Sequence, residues 1–309
     1  MSDIAIPYSP AIAEHGRAQP DPVSLAIVTA LVAGLAAASM IVAIGAITVD
    51  YLDFLPFVIV AAALLLLARY AEWRRLHYLT YDAARMSAYA TLGLLACGFV
   101  ANAGLRLGFP LIDADLATID AAIGLDVAAA TRAAAEHTAA IQFLAAVYNA
   151  SHIAVAALIV GLLFCGQRVI AWEMVATAII TMQAVAILSV FMPAIGAMAH
   201  FNLLDLQGNG LPVGAGVYHL AAFEAAYSGS DQVFELADME GLVTFPSFHT
   251  VLALLLTQGL AHTRLRLLGV AATCAVIVST VPIGGHYVID LVAGFAIWAL
   301  TVTVIRRVQ

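Results

Sequence analysis

Two ionisable residues stand four positions apart at the start of an apolar run. In the stretch GGHYVIDLVAG, residues 284–294, they are His286 and Asp290. On a helix both side chains point to one face, where the carboxylate can accept a hydrogen bond from a ring nitrogen. Such a bond fixes the tautomer and strengthens the other nitrogen as a base or nucleophile. A satisfied polar contact is the simpler alternative, but inside a membrane segment an ionisable pair favours a functional role.

A second polar element lies in FPSFHT, residues 245–250. Ser247 stands where a helix N-cap belongs, and the free N–H groups of the following turn would suit a phosphate oxygen. His249 follows within that turn. The two apolar segments after FPSFHT form a hairpin with the turn HTRLRL, so we expect His249 and His286 at the same membrane face. The alternative is that Ser247 merely starts a helix and His249 is an interfacial polar residue.

Other polar residues could line a head-group cavity near this pair. Tyr148 and His152 are again spaced by four, and Gln183 lies within another apolar segment. They could equally hydrogen-bond neighbouring helices, which is the usual use of polar residues in a membrane bundle.

The composition indicates an integral membrane protein, because 63% of the 309 residues are hydrophobic and only 10% are charged. One helix needs about 20 apolar residues to cross a bilayer. We therefore predict an all-α, polytopic helical bundle in one membrane domain, residues 21–309, after a disordered cytoplasmic tail at 1–20. The eight predicted membrane segments are Val23–Val49, Phe54–Ala68, Met86–Leu107, Ile141–Cys165, Val169–Met192, Pro246–Ala261, Leu265–Val281 and His286–Val304.

The distribution of arginine predicts the orientation, since cytoplasmic connections are rich in basic residues. The chain has no lysine. Ten of its twelve basic residues fall in the two tails and in alternate connections, which predicts cytoplasmic termini. Only Arg106 and Arg132 fall in the opposite connections, which we expect on the extracytoplasmic side. The ten are Arg17, Arg69, Arg74, Arg75, Arg85, Arg168, Arg264, Arg266, Arg306 and Arg307.

Two long connections belong to the extracytoplasmic side. The first, residues 108–140, contains PLIDADLATIDAAIG. Its apolar residues Ile112, Leu116, Ile119 and Ile123 recur opposite Asp113 and Asp120, as in a helix lying in the membrane interface. Gly124 should stop this helix, and Asp126 should cap another that could continue into the fourth segment. The second connection, residues 193–245, is long enough to be a lid over a substrate or an ordered surface loop without chemistry.

The motifs PSFHT and HYVIDLVAG resemble the second and third signatures of the type 2 phosphatidic acid phosphatase superfamily of lipid phosphatases and phosphotransferases. The resemblance implies a six-helix catalytic core, residues 83–309, with the first two segments added. It also implies that His286 attacks phosphorus, Asp290 orients it and His249 protonates the leaving group. Ser247 would then contact the phosphate. No metal or cofactor is implied, and the expected partners are the bilayer and a lipid substrate, not nucleic acid.

The chain also departs from the phosphatase pattern. Thr280 stands where that pattern has an arginine, and Phe248 stands where it has glycine. Both features resemble the bacterial branch related to inositol phosphorylceramide synthase and sphingomyelin synthase, which implies a bacterial inner-membrane protein that moves a phosphorylated head group to a lipid hydroxyl. Another cation must then balance the phosphate charge, and Arg106 and Arg132 are the extracytoplasmic candidates.

Two rival functions remain open from the sequence, and so does the oligomeric state. An intramembrane zinc hydrolase could use His249, His286 and Asp290 as ligands, with His152 or His200. A transporter or lipid-binding subunit could use the same polar cluster without catalysis, although we find no paired halves with broken helices.

Overall fold

The structure is a computed structural model that describes residues 22–45, 47–229, 233–239 and 241–308. Within these ranges it is all-helical, with 12 helices and 75% of the residues in helix, which confirms the predicted fold class. The expected disordered tail lies outside the described residues. The helices are α1 (Pro22–Gly45), α2 (Tyr51–Trp73), α3 (Tyr78–Leu105), α4 (Asp113–Ala122), α5 (Val127–Ala135), α6 (Thr138–Phe164), α7 (Arg168–Phe191), α8 (Ala197–His200), α9 (Leu220–Ser228), α10 (Phe248–Leu260), α11 (Arg266–Thr280) and α12 (Val288–Val308), with two short strands, β1 (Thr48–Val49) and β2 (Val233–Phe234).

Six of these helices are long and apolar enough to cross a membrane: α1, α2, α3, α6, α7 and α12. They indicate an integral membrane protein. The other two predicted segments form α10 and α11, which have 13 and 15 residues. At 1.5 Å per residue these two helices extend about 20 Å, against a hydrocarbon core of about 30 Å. The count of eight spans therefore stays a prediction.

The centre of the bundle is α7, which packs against α1, α3, α6, α10 and α12. In its most apolar window 67% of the residues are buried, compared with 11% in α2. An apolar helix that buries so little against protein has the surface expected of a helix in contact with lipid. The second helix is thus at the outside of the bundle, attached through α3, whereas α1 packs against both α3 and α7.

The connection before α6 differs from the prediction in one respect. Gly124 takes a positive φ of 81°, and the Asp126 carboxylate accepts a hydrogen bond from the N–H of Ala129 at 2.9 Å, as predicted for a stop and a cap. However, α5 and α6 are separate helices, with non-helical backbone at His137. The prediction of one continuous helix was wrong, because the bend there lets α5 pack against both α6 and α8.

The long loop after α7 is held at both ends. Near its start the N–H of Ala197 donates to the carbonyl of Gly285 at 2.8 Å, and the N–H of Gly216 donates to the carbonyl of Ile283 at 2.6 Å. Further along, β2 pairs in parallel with β1 in the α1–α2 connection. The Phe234 ring packs edge-on against Phe99 with centroids 4.8 Å apart. The connection between α1 and α2 thus holds the far half of the loop.

The two ends of the bundle carry different polar clusters. We call the end at which α10 and α12 begin the histidine end, and the other the arginine end. At the arginine end Asp82 accepts hydrogen bonds from Arg168 Nε at 2.5 Å and Trp172 Nε1 at 3.2 Å. Arg85 of α3 pairs with Glu72 of α2 beside them. This cluster fastens α2, α3 and α7 together.

Candidate active site

A tight turn between α11 and α12 delivers His286. The turn closes through the His286 N–H, which donates to the Thr280 carbonyl at 3.2 Å, and Gly285 takes a positive φ of 71° that favours glycine. The start of α10 lies directly against α12. A Cβ added to Gly294 would stand 3.1 Å from Thr250 Cβ, so glycine at this position permits the close approach.

One hydrogen-bonded chain links α12, the turn and α10. Nδ1 of His286 donates to Asp290 Oδ2 at 3.1 Å, and its Nε2 lies 3.3 Å from Ser247 Oγ. Ser247 also caps α10, because its Oγ accepts from the N–H of Thr250 at 3.4 Å. With the Nδ1 proton directed at the carboxylate, Nε2 keeps its lone pair and faces the serine hydroxyl. The three side chains are 0% to 2% exposed.

His249 lies beside this chain. Its ring centroid is 6.3 Å from that of His286, so the two histidines and Asp290 lie at one end of the bundle. The His249 ring stacks on Tyr148 at 3.9 Å and meets His152 edge-on at 4.9 Å. Its Nε2 is buried and has no hydrogen-bond partner among the described residues. Since buried polar atoms are almost always paired, this nitrogen is suited to bind a group that the protein itself does not supply.

A glycine keeps the space between Tyr148 and His286 open. A Cβ at Gly284 would stand 2.8 Å from His286 Cδ2 and 2.9 Å from Tyr148 Cε2, closer than real side chains allow. The Tyr148 hydroxyl interacts with that of Tyr218 from the long loop. The loop thus supplies one wall of the site.

Three other predicted substrate-binding residues make contacts elsewhere. Thr280 Oγ1 donates to the Ile277 carbonyl of its own helix at 2.6 Å. Arg132 pairs with Asp205 at 3.2 Å on an exposed surface, and the Arg106 guanidinium lies over the Phe234 ring at 5.5 Å. Within the described ranges none of the three side chains is hydrogen-bonded to the histidine pair or to Asp290. Their assignment to the substrate stays a prediction.

Gln183 has the structural role that the sequence left open as an alternative. Its side-chain amide donates to the Gly93 carbonyl at 2.8 Å and so joins α7 to α3.

Two carboxylates of α4 that the sequence analysis did not assign to the site bind the backbone around His286. Asp113 accepts hydrogen bonds from the N–H groups of Ile195 and Gly196, both at 2.9 Å, and from the Tyr287 hydroxyl at 3.0 Å. Burial, and then the neighbouring Asp113 charge, raise the pKa of Tyr287 above its usual range, so the phenol stays a donor.

Asp120 caps α12, accepting from the N–H groups of Val288 at 2.7 Å and Ile289 at 2.9 Å. The seven-residue spacing of Asp113 and Asp120 places both on one face of α4, which is the signal that could have identified them. That face points into the protein, while Ile119 and Ile123 are exposed as predicted. The prediction was wrong for Leu116, which is buried like the two aspartates and packs in a cluster that includes Tyr287.

His219 is a further buried histidine that the sequence did not single out. Its Nε2 lies 3.1 Å from the Ile195 carbonyl, to which it donates as the neutral ring. Burial lowers its pKa below 6.5, and the nearby His286 acts in the same direction. No pattern in the sequence separates this histidine from an ordinary loop residue.

The zinc alternative requires several ligands around one point. Across the part of the chain that the structure describes, no group of three or more His, Cys, Asp or Glu side chains is arranged to hold a metal ion.

A family model described as the PAP2 superfamily matches residues 114–304. The chain belongs to the PAP2 superfamily. This is the family of type 2 phosphatidic acid phosphatases that the two motifs resemble, and its members are phosphatases or phosphotransferases. The matched residues include all of α10, α11 and the first turns of α12. Searches of the curated proteins and of the solved structures found no match.

Proposed function

We propose that this PAP2 protein is a membrane lipid phosphatase or head-group phosphotransferase in which His286 forms a covalent bond to phosphorus. The observation that carries the proposal is the chain from Asp290 through His286 to Ser247. It directs the Nδ1 proton to the carboxylate and leaves Nε2 as a nucleophile at the start of α10.

In the first half-reaction Nε2 of His286 attacks the phosphorus of the lipid. An N–P bond forms and the bond from phosphorus to the leaving oxygen breaks. Protonated His249, with its otherwise unpaired Nε2, donates its proton to that oxygen. The departing product is an alcohol, and Asp290 stabilises the positive charge that develops on the His286 ring.

In the second half-reaction His249, now neutral, removes the proton from an acceptor hydroxyl. The acceptor oxygen bonds to phosphorus, the N–P bond breaks and His286 regains its lone pair. Water as acceptor gives a phosphatase, and a lipid hydroxyl gives a phosphotransferase. The departures at Phe248 and Thr280 favour the lipid hydroxyl, as in the branch related to inositol phosphorylceramide synthase.

The phosphate charge must be balanced although no arginine or lysine side chain is hydrogen-bonded to the histidine pair in the described part of the chain. We assign this task to the N-terminal turn of α10 and to protonated His249. Free N–H groups and the helix dipole both favour an anion at that position. Arg106 and Arg132 remain the candidate cations if the loop rearranges around a substrate.

A second candidate reaction arises from the same contacts, because Ser247, His286 and Asp290 are connected in the order of a serine hydrolase triad. In that scheme His286 is the base and Ser247 Oγ is the nucleophile. The family supports the first scheme, since its members act on phosphate esters. The two schemes differ in which atom carries the covalent intermediate.

An activity panel tests the proposal. The purified protein would be offered phosphatidic acid, an isoprenyl phosphate, phosphatidylinositol and ceramide, while free phosphate and new lipids are both measured. We expect turnover that survives EDTA, that His286→Ala abolishes and that His249→Ala lowers roughly 10²-fold or more. His262→Ala, an exposed histidine in the α10–α11 turn, is the matched control and should retain turnover.

Three results of this panel would contradict the proposal. Full turnover by His286→Ala would exclude His286 as the nucleophile. Loss of turnover in EDTA would favour the zinc hydrolase. Binding of lipids without turnover of any would favour a transporter or binding subunit.

We also propose that the histidine end faces the extracytoplasmic side of a bacterial inner membrane, with both termini in the cytoplasm, as the arginine distribution predicts. Val213 in the long loop is 87% exposed and offers a reporter position. In a chain without its three cysteines, Val213→Cys should react with a membrane-impermeant maleimide in intact cells. Labelling of Val213→Cys only after lysis would place the histidine end on the cytoplasmic side and contradict the proposed orientation.

A further inference from the structure

Helix α4 holds the chain on both sides of the proposed nucleophile. After His286, the Tyr287 hydroxyl donates to Asp113 and the first two N–H groups of α12 donate to Asp120. Before His286, the Gly285 carbonyl accepts from the N–H of Ala197. Gly196, which precedes Ala197, donates its own N–H to Asp113. The two residues that flank His286 in the chain are therefore both linked to α4, Tyr287 directly and Gly285 through Ala197 and Gly196.

Asp113 and Asp120 are placed to fix the position of His286 and not only to stabilise α12. They are 3% and 2% exposed, and their bonds run to segments 82 to 174 positions away in the chain. Asp120 binds the turn of α12 that contains Asp290, so it fixes where that carboxylate meets the imidazole. A shift of about 1 Å in a reacting group can lower a rate by roughly 10².

We propose that Asp113 and Asp120 are positioning residues for His286, acting through Tyr287 and through the first turn of α12. The inference rests on the proposed function, since it concerns the rate at which His286 attacks phosphorus. The two side chains do not touch the reacting atoms. Their contribution is to keep Nε2 aligned with the phosphorus while the lipid is bound, so their loss should affect the rate constant of attack and not the binding of lipid.

The sharpest variant is Asp120→Asn. It preserves the shape of the side chain but turns one acceptor into an NH2 group that faces a backbone N–H, so one of the two bonds is lost. Asp126→Asn is the matched control, because it removes the same charge from a cap in the same connection. Among the described residues the Asp126 side chain is hydrogen-bonded to the N–H of Ala129 in α5 and to no other group. Tyr287→Phe isolates the contact with Asp113.

The measurement is a single turnover with protein in excess over phosphorus-labelled phosphatidic acid or phosphatidylinositol. The amplitude counts the folded, competent sites, and the rate constant reports their geometry. We expect Asp120→Asn to lower the rate constant about 10- to 100-fold at full amplitude. Tyr287→Phe should lower it less, and Asp126→Asn should match the wild type.

A different result is expected if Asp120 only stabilises the fold. A lower amplitude with an unchanged rate constant in Asp120→Asn would mean that the carboxylate only stabilises the fold, and would overturn the inference. So would a wild-type rate constant at full amplitude. In either case turnover by the wild type and its loss in His286→Ala would leave the proposed function standing. Absence of turnover in the wild type with every lipid of the activity panel would overturn the proposed function and the inference together.

Discussion

Buried carboxylates lie at both ends of the bundle, and two of them, Asp82 and Asp290, are used differently. At the arginine end Asp82 is 2% exposed, and both of its oxygens are bonded, one to Arg168 and the other to Trp172. At the histidine end Asp290 is 0% exposed, but within the described residues only its Oδ2 is bonded. This oxygen accepts hydrogen bonds from the Tyr287 N–H and from the His286 side chain. A histidine can lose or gain a proton near neutral pH, whereas arginine stays charged.

This difference separates a polar cluster that holds helices together from one that is suited to chemistry. In the Asp82 cluster both carboxylate oxygens have a hydrogen-bond partner. The Asp290 cluster continues through His286 to Ser247, and beside it lies a His249 nitrogen without a partner in the described part of the chain. An ionisable residue inside a membrane protein is therefore not sufficient to indicate a site. Incompletely paired buried atoms around it are the more specific sign.

The largest expected effect tests this comparison with the same substitution at both ends. Asp290→Asn should lower turnover roughly 10²-fold or more, because the imidazole loses the carboxylate that orients it. Asp82→Asn should leave turnover per folded molecule unchanged and lower the free energy of unfolding by about 1 to 2 kcal/mol. Turnover and unfolding in detergent would be measured for both variants. Equal losses of turnover would remove the distinction.

Filling the gap between Tyr148 and His286 should have an intermediate effect. In Gly284→Ala the new methyl group would stand 2.6 Å from the Thr280 carbonyl oxygen and under 3.0 Å from both rings. These distances are shorter than real contacts, so the turn that holds His286 must move. We expect about a tenfold loss of turnover. The control is Gly161→Ala on α6, where an added Cβ meets nothing within 4 Å. A fully active Gly284→Ala protein would show that His286 tolerates displacement.

The smallest effect concerns the ring stacked on His249. Tyr148→Leu removes the stack and should lower turnover about 2- to 10-fold, the range expected for one aromatic contact. Tyr148→Phe keeps the stack and should retain turnover if the ring only positions His249. A raised KM in Tyr148→Phe would instead assign the hydroxyl to the substrate, as the sequence predicted. Steady-state kinetics of the two variants separate these roles.

The local parts of the site could be predicted from the sequence. The contact of His286 with Asp290 was predicted from their four-residue spacing on one helix. The contact is present, but His286 lies in the turn before α12, so the turn and not a shared helix face brings its ring to Asp290. Ser247 was placed correctly as the cap of α10. The meeting of His249 with His286 followed from the hairpin of α10 and α11. These features depend on spacing within one helix or on the direction of neighbouring helices.

The remaining parts depend on contacts between distant segments. Asp113 and Tyr287 are 174 positions apart, and neither has a local pattern that points to the other. The strands β1 and β2 have two residues each, too few for an alternating pattern to appear. The break at His137 falls in an alanine-rich stretch that favours helix, so tertiary packing and not propensity sets it.

The most direct test of the account is to identify the atom that carries phosphorus during turnover. The labelled protein would be quenched and its adduct mapped by mass spectrometry after treatment with acid and with alkali. We predict a phosphoryl or phospho-head group on His286 that is lost in acid, survives alkali and is absent from His286→Ala. An acid-stable adduct on Ser247, or no adduct in a protein that is turning over its lipid, would contradict the central claim.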